Sequence, residues 1–308
     1  MTGNLKTLSS RAIRGEFYKR LEETQQRTWS PLITSEFRSD QEIEIYKFLG
    51  DVAALEEVKS DYKKTTLRAS GLQVLNKKWG RILEIDEDDM RRDKTDQIMV
   101  RVRNLAGRAA QVPAQQISRL INTNGNAWDG VAFFHASAHV NPQGTAIANA
   151  ISYNAASTTA LTGDEGVAAT LKGIQQILGF VDDVDEPANE FAEAFMVMCP
   201  TNLFDGLSAA IKNDFINNGV SNTLRTSGFN ITLRNNPRLT DTSKFFVFRA
   251  DADVKAFIWQ DEVDPTFDER TPGNSDAGFE KDKYMFKAKR IGNAAYGRFD
   301  QAVQITLT

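Results

Sequence analysis

Near the N-terminus, apolar residues recur at every fourth place: Ile13, Phe17 and Leu21 stand in an otherwise polar run. That narrow stripe predicts a helix over residues 8–28. Ser9 or Ser10 would open it, because a hydroxyl there accepts from the free N–H groups of the first turn. Trp29-Ser30-Pro31 ends it, since the proline ring pushes its predecessor out of the helical region. Residues 32–50 read as extended and mixed. After Asp51 a charged stretch, LEEVKSDYKKTTLRASG, gives way to short alternating runs in LQVLNKKWGRILEI. Leu72 and Val74 are expected to pair with Leu83 and Ile85 across the turn-like NKKWG, as a long two-stranded hairpin. Much of it is too polar to be buried in its own chain, and such an excursion is uncommon unless it reaches for something else.

The period then changes to three and four. Asp86 is a natural N-cap, and Met90, Ile98, Val102, Leu105 and Ala109 fall on one face of a long helix over about 87–122. Pro113 kinks or breaks it, and the pattern resumes at Ile117, Leu120 and Ile121 before Gly125. From about residue 150 helices and strands alternate. TGDEGVAATLKGIQQILGFV is a helix starting at Thr162, EFAEAFMVMCP a strand, and TNLFDGLSAAIKNDFINNG a helix capped by Thr201 or Asn202. FNITLRNNP and KFFVFRAD are further strands, and the tail returns to strands broken by a Gly/Asp/Pro-rich loop. The order is that of an α+β fold with helices packed on a mixed sheet.

Composition narrows the function. The 308 residues are 41% hydrophobic and 25% charged, as in a soluble globular protein. No apolar run approaches a membrane span, and the N-terminus lacks the apolar core of an export signal. The single cysteine, Cys199, excludes an intrachain disulfide. In FMVMCP it reads as a small buried hydrophobe, not as a nucleophile, and points weakly to a reducing, intracellular origin. A net charge of −4 argues against a protein whose main task is gripping DNA phosphates. The first thirty residues nonetheless hold six Lys/Arg against three Glu. They suit docking on an acidic surface, mild nucleic-acid contact, or a solvated helix face. Arg91, Arg92, Arg101, Arg103 and Arg108 lie largely off the apolar stripe. Interleaved acids and the lack of an aromatic platform favour a solvated face there.

The only two histidines, His135 and His139, stand four apart, as zinc ligands do on a helix. The glutamate that a zincin needs after the first histidine is replaced by Ala136. The surrounding DGVAFFHASAHVNPQG reads as strand and turn, so these are expected to be loop histidines with satisfied ring nitrogens and no metal. Replacing both by Asn is expected to shift stability by only about 0.5 kcal/mol. Phosphate loops, dinucleotide fingerprints and calcium loops are missing. No catalytic residue and no cofactor is assigned.

Two stretches carry a resemblance. AGRAAQVPAQQISRLI (106–121), followed by WDGVAFFHASAHVN (128–141), resembles the signature region of the Mu-like prophage major head subunit family. The matching positions are Gly107, Arg108, Ala109, Ala110 and Pro113, then Asp129, Gly130, Phe133, Phe134 and His139. His135 departs from that pattern. KFLGDV (47–52) and FMVMCPTNLFDGLSAAIKN are similar to further family segments, and the likeness spans residues 10–300. The order of elements resembles the tailed-phage major capsid fold of the Hong Kong 97 type.

The resemblance implies an N-terminal arm (1–50), an extended hairpin loop (51–85), a spine helix with peripheral domain (86–154), an axial domain (155–255) and a peripheral return (256–308). It implies hexamers and pentamers of this chain in an icosahedral virion shell, assembled in the host cytoplasm around weakly contacted double-stranded DNA, without a membrane. A separate scaffold or protease, a portal and a decoration protein are the implied partners. Asp129, Gly130, Phe133, Phe134 and His139 would form a structural turn. In the hairpin, Glu56, Glu57, Lys63, Lys64, Leu72, Val74 and Trp79 would contact a neighbouring subunit, with Trp79 either its anchor or a local cover of the turn. The rival readings are a cellular nanocompartment shell of the same fold and a metal-dependent hydrolase using His135 and His139.

Overall fold

The computed structural model describes residues 3–49, 69–92, 97–141, 144–182, 185–216, 219–271 and 282–308. Helix α1 (Gly3–Arg27) leads through a short α2 (Ser30–Ile33) into β1 (Thr34–Arg38) and β2 (Ile43–Leu49). Strands β3 (Ala69–Leu75) and β4 (Lys77–Asp86) precede α3 (Glu87–Arg92), α4 (Gln97–Ala110) and α5 (Val112–Thr123). Then come the short strands β5 (His139–Val140), β6 (Ala146–Ile147) and β7 (Ala150–Tyr153), helix α6 (Gly163–Leu178) and β8 (Ala194–Cys199). Helix α7 (Phe204–Lys212), the ribbon β9 (Phe215–Ile216) and β10 (Val220–Ser221), and α8 (Thr223–Thr226) lead to β11 (Asn230–Asn235) and β12 (Lys244–Arg249). The long β13 (Phe257–Arg270) and β14 (Lys283–Tyr296) and the final β15 (Ala302–Leu307) complete the chain.

Two sheets organise these elements. One has the order β1-β13-β14-β4, the other β11-β8-β12-β15-β7. Helix α1 starts at Gly3, earlier than its serines suggest, and buries Ile13, Phe17 and Leu21. Its partners are Ile98, Val102, Ala106 and Ala110 of α4, with Phe267 and Phe286 beneath them. Burying Ile13, Phe17 and Leu21 contributes roughly 1.5–3 kcal/mol each, so α1 is anchored in its own chain. Arg101, Arg103 and Arg108 face solvent, as their positions off the stripe predicted, and Arg103 pairs with Glu16.

The hairpin differs from expectation. Leu72 and Val74 pair with Tyr46 and Glu44 of β2, while Leu83 and Ile85 pair with Phe286 and Tyr284 of β14. Alternation marks a strand and its faces but not its partner. The NKKWG segment is no reversal, because Lys77 already belongs to β4. Asn76 instead donates its backbone N–H to the Glu42 carbonyl at 2.9 Å, and its side chain donates to the Gln41 carbonyl at 2.7 Å. Strand pairing therefore joins Ile43–Leu49 to Ala69–Leu75. The hairpin's expected contact residues Glu56, Glu57, Lys63 and Lys64 lie outside the described residues.

The helix breaks near Pro113 as expected: α4 ends at Ala110 and α5 starts at Val112, with Pro113 in its first turn, where its missing N–H costs nothing. Thr162 caps α6 as expected, forming a reciprocal capping box with Glu165. Asn202 does not cap α7. A 3-10 turn over Thr201–Leu203 precedes that helix, and the Asn202 amide donates to the carbonyls of Thr159 and Thr242. Packing of α6 on α7 is so close that a Cβ on Gly166 would lie 2.9 Å from the Ala210 Cβ. Strand β15, from the tail, does not join β13 and β14. It fills the five-stranded sheet between β12 and β7, because Val303, Ile305 and Leu307 present an unbroken apolar face to that core.

Candidate functional site

The motif turn forms a buried polar junction between the end of α5, the ends of β14 and the start of β15. Helix α5 stops at Asn124, whose left-handed φ of 46° suits asparagine better than most residues. Its side chain accepts from the Phe134 N–H at 2.7 Å and donates to the Phe134 carbonyl at 3.0 Å. The Tyr296 hydroxyl accepts from the Gly125 N–H at 2.6 Å and donates to the Leu120 carbonyl at 2.8 Å. One side chain from β14 thus ties the end of the helix to the turn that follows it.

The next turn needs Gly130, with φ of 81°. Asp129 accepts from the Val131 N–H at 3.1 Å through one oxygen and meets His139 Nδ1 at 2.5 Å through the other. His139 is fully buried, its Nε2 lies 3.1 Å from the Phe133 carbonyl, and its ring stacks on Phe299 at 4.0 Å. Phe133 and Phe134 project into the main core, where Phe133 meets the rings of Phe257 and Tyr296. Asn149, also fully buried, donates to the carbonyls of Phe133 and Phe299 and accepts from the His135 N–H. All five expected turn residues, Asp129, Gly130, Phe133, Phe134 and His139, are therefore brought together. Asn124, Asn149 and Tyr296 complete the junction without having been singled out in the sequence. Only Asn124 carried a signal, as the Asn-Gly pair after a helical stretch.

Both ring nitrogens of His139 face oxygen acceptors, so neither is offered to a metal ion. His135 Nδ1 accepts the N–H groups of Ser137 and Ala138 at 3.1 and 2.9 Å. Among the described residues no three His, Cys, Asp or Glu side chains converge. Cys199 is buried, which pushes its thiol up to about 12, far from a working nucleophile.

The sequence treats the two histidines alike, as loop residues with satisfied ring nitrogens, but the structure buries His139 completely. We predict that His139→Asn lowers stability by about 2 kcal/mol, because it removes a stacked, doubly bonded buried ring. His135→Asn stays near neutral. Burial raises the Asp129 carboxyl, but the His139 hydrogen bond and the Val131 N–H outweigh it and leave the group below its ordinary 3.8. The Asp129 contribution is thus fully present above pH 4 and lost as pH falls through the depressed folded value. Urea melts of His139→Asn and wild type at neutral pH and near pH 3 check both statements. A His139→Asn loss under 0.5 kcal/mol would contradict the junction's role.

Of the expected contact residues, Leu72, Val74 and Trp79 are described. Val74 is 2% exposed and packs on Ile258 and Ala295 of its own chain, with Leu72 half-buried beside it. Trp79 is half-buried and its Nε1–H donates to the Gly292 carbonyl of β14 at 2.9 Å. The face that remains outward at the hairpin's base carries Ile43, Ile45 and Leu75, all exposed, with Ile43 directly opposite Leu75.

A charged cavity of about 470 Å³ lies where the end of α1, β1 and the α4–α5 junction meet β13 and β14. In its wall Arg290 pairs with Asp261 at 2.9 Å, and Arg38 with Asp264 at 3.0 Å. The Arg290 guanidinium also lies 4.8 Å over the Trp259 ring. Burial holds the Asp261 carboxyl above its ordinary value despite Arg290, whereas Asp264 lies below its own, its hydrogen bonds to Asp261 and Arg38 outweighing its partial burial.

The sequence model of the family described as Mu-like prophage major head subunit gpT matches residues 5–165, more than half of the chain. That stretch includes α1, the hairpin, α4, α5 and the whole His139 turn. The fold is similar to three solved shell structures. The capsid of cyanophage P-SCSP1u is 14% identical with a TM-score of 0.59, over 90% of this chain and 86% of that one. The bacteriophage JBD30 capsid is 12% identical with a TM-score of 0.51, over 90% of this chain and 64% of that one. The chain therefore spans less than two thirds of the JBD30 chain's length. A virus-like particle from Pyrococcus furiosus is 10% identical with a TM-score of 0.56, over 96% and 98%. No curated protein matches the sequence.

Proposed function

Because the chain belongs to the Mu-like prophage major head subunit family, we propose that it self-assembles into the icosahedral head shell of a tailed phage or prophage and encloses double-stranded DNA. The family match over residues 5–165 carries this reading. The shell is built of hexamers and pentamers of this chain. The four-stranded sheet with α1 and α4 serves as the peripheral domain, the five-stranded sheet with α6 and α7 as the axial domain, and the β2–β3 hairpin as the extended loop. Its assembly draws on a separate scaffold or protease and a portal, with a decoration protein on the finished head, and it takes place in the host cytoplasm.

Physical chemistry supports a structural role over a catalytic one. The most heavily bonded polar groups, around His139 and Asn149, are spent on joining elements and leave no donor facing a cavity. A mildly acidic chain, net −4, suits an interior that must release nucleic acid as well as hold it. The same fold in the Pyrococcus particle does not discriminate cargo, so the family match decides for a viral head over a nanocompartment. Sedimentation of the purified protein tests the reading: shells or capsomers are expected, with or without scaffold. A single species near 34.3 kDa under all such conditions would overturn it.

A further inference from the structure

Phe191 is 81% exposed, the highest value of any large apolar residue described. It stands in the loop between α6 and β8 among exposed carboxylates, Glu186, Glu190 and Glu193. This loop is pinned on both sides. Asn189, fully buried, donates to the carbonyls of Ile177 and Asp300, and Asp251 accepts from the backbone of Glu193 and Ala194 at 2.8 and 3.2 Å. An aromatic ring held this firmly in solvent gains nothing from its own chain.

A groove of about 350 Å³ lies elsewhere on the molecule, between α4–α5 and the β4–β14 edge. Trp79, Leu105 and Val112 give it half-buried apolar walls, and exposed Arg81 and Arg108 line it. Arg290 in its floor is already committed to Asp261, and none of the groove's lining residues is acidic. The Trp79 Nε1–H is taken by Gly292, so the groove is offered only ring surface from that residue. Apolar walls with a cationic rim fit an aromatic side chain flanked by carboxylates.

We propose that the Phe191 loop of one copy docks into this groove of a neighbouring copy, with Glu190 and Glu193 set against Arg81 and Arg108. The inference rests on the shell reading. Knob and groove are different patches of one chain, so their union is head-to-tail, the kind of contact that closes into rings. A tightly packed aromatic knob is the residue type that dominates such contacts, and its removal weakens one contact about 30-fold.

The test compares full-length wild type, Phe191→Ala, Arg108→Glu and the exchange pair Arg108→Glu with Glu190→Arg. Shell fraction is read by sedimentation and the fold of free subunits by their melting point. Folded subunits that lose shells in both single variants, with shells regained in the exchange pair, are expected. Phe191→Ala shells at wild-type yield would overturn the proposal. Should a single variant misfold, Glu190→Cys with Gln115→Cys, which keeps the Phe191 ring, decides. Oxidation of its shells should give disulfide-linked chain ladders, and shells that form without any cross-link would overturn the docking. A wild type that never forms shells defeats the shell reading instead, and the docking with it.

Discussion

Replacing Arg290 with methionine is expected to destabilise the subunit by about 3–5 kcal/mol, the largest loss among single changes at a charged residue here. Arg290 is 6% exposed and Asp261 9%, so removing the guanidinium leaves a carboxylate with little water to replace it. The Trp259 face also loses its cation at 4.8 Å. The deficit has a predictable pH dependence. Asp261 already lies above its ordinary value through burial, and a protonated carboxyl needs no counter-charge. A group whose folded value is raised holds its proton more tightly in the native state, so its ionisation costs stability as pH rises. The Arg290→Met deficit should therefore be greatest at neutral pH and shrink on acidification. Adding Asp261→Asn should recover much of it, because the buried charge goes with its partner. Urea unfolding of unassembled subunits reads all three quantities. A deficit under 1 kcal/mol, or one that grows at low pH, would mean the pair is not a buried charge couple.

Phe133→Ala is expected to cost about 3–5 kcal/mol. The ring is fully buried and lies 4.9 Å from Phe134, 5.2 Å from Phe257 and 5.0 Å from Tyr296. These partners come from the motif turn, β13 and β14, so the cavity left behind cannot close by moving one side chain. Phe133→Leu, nearer in volume, should lose less than half as much. A two-state melt of the soluble subunit measures both, and equal losses for Ala and Leu would show that the ring's shape is not what holds the junction.

The sequence made some elements legible and hid others for physical reasons. Helix α1 was legible because its stripe of Ile13, Phe17 and Leu21 is also its buried face, and α6 because Thr162 and Glu165 form a local capping box. Strands β8 and β12 were legible as continuous apolar runs, which the middle of a covered sheet requires. Pairing was not. Val74 alternates correctly, yet its partner is Glu44 from thirty residues earlier, and nothing local in either strand records that choice. The sheet that the C-terminal β15 joins is equally unrecorded in its own residues. At the junction, Asp129, Gly130 and His139 stood out through the family likeness. Asn149 and Tyr296 did not, because a buried asparagine or tyrosine that satisfies distant carbonyls looks like any polar residue until the chain is folded.

Electron microscopy of the purified protein, expressed alone and with a candidate scaffold protein, tests the central claim most directly. Closed shells of uniform size are predicted, with capsomers of five- and sixfold symmetry and each chain's β2–β3 hairpin lying on a neighbour. Particles absent under every such condition, or disordered aggregates without capsomers, would contradict the assignment of this chain as a head-shell subunit.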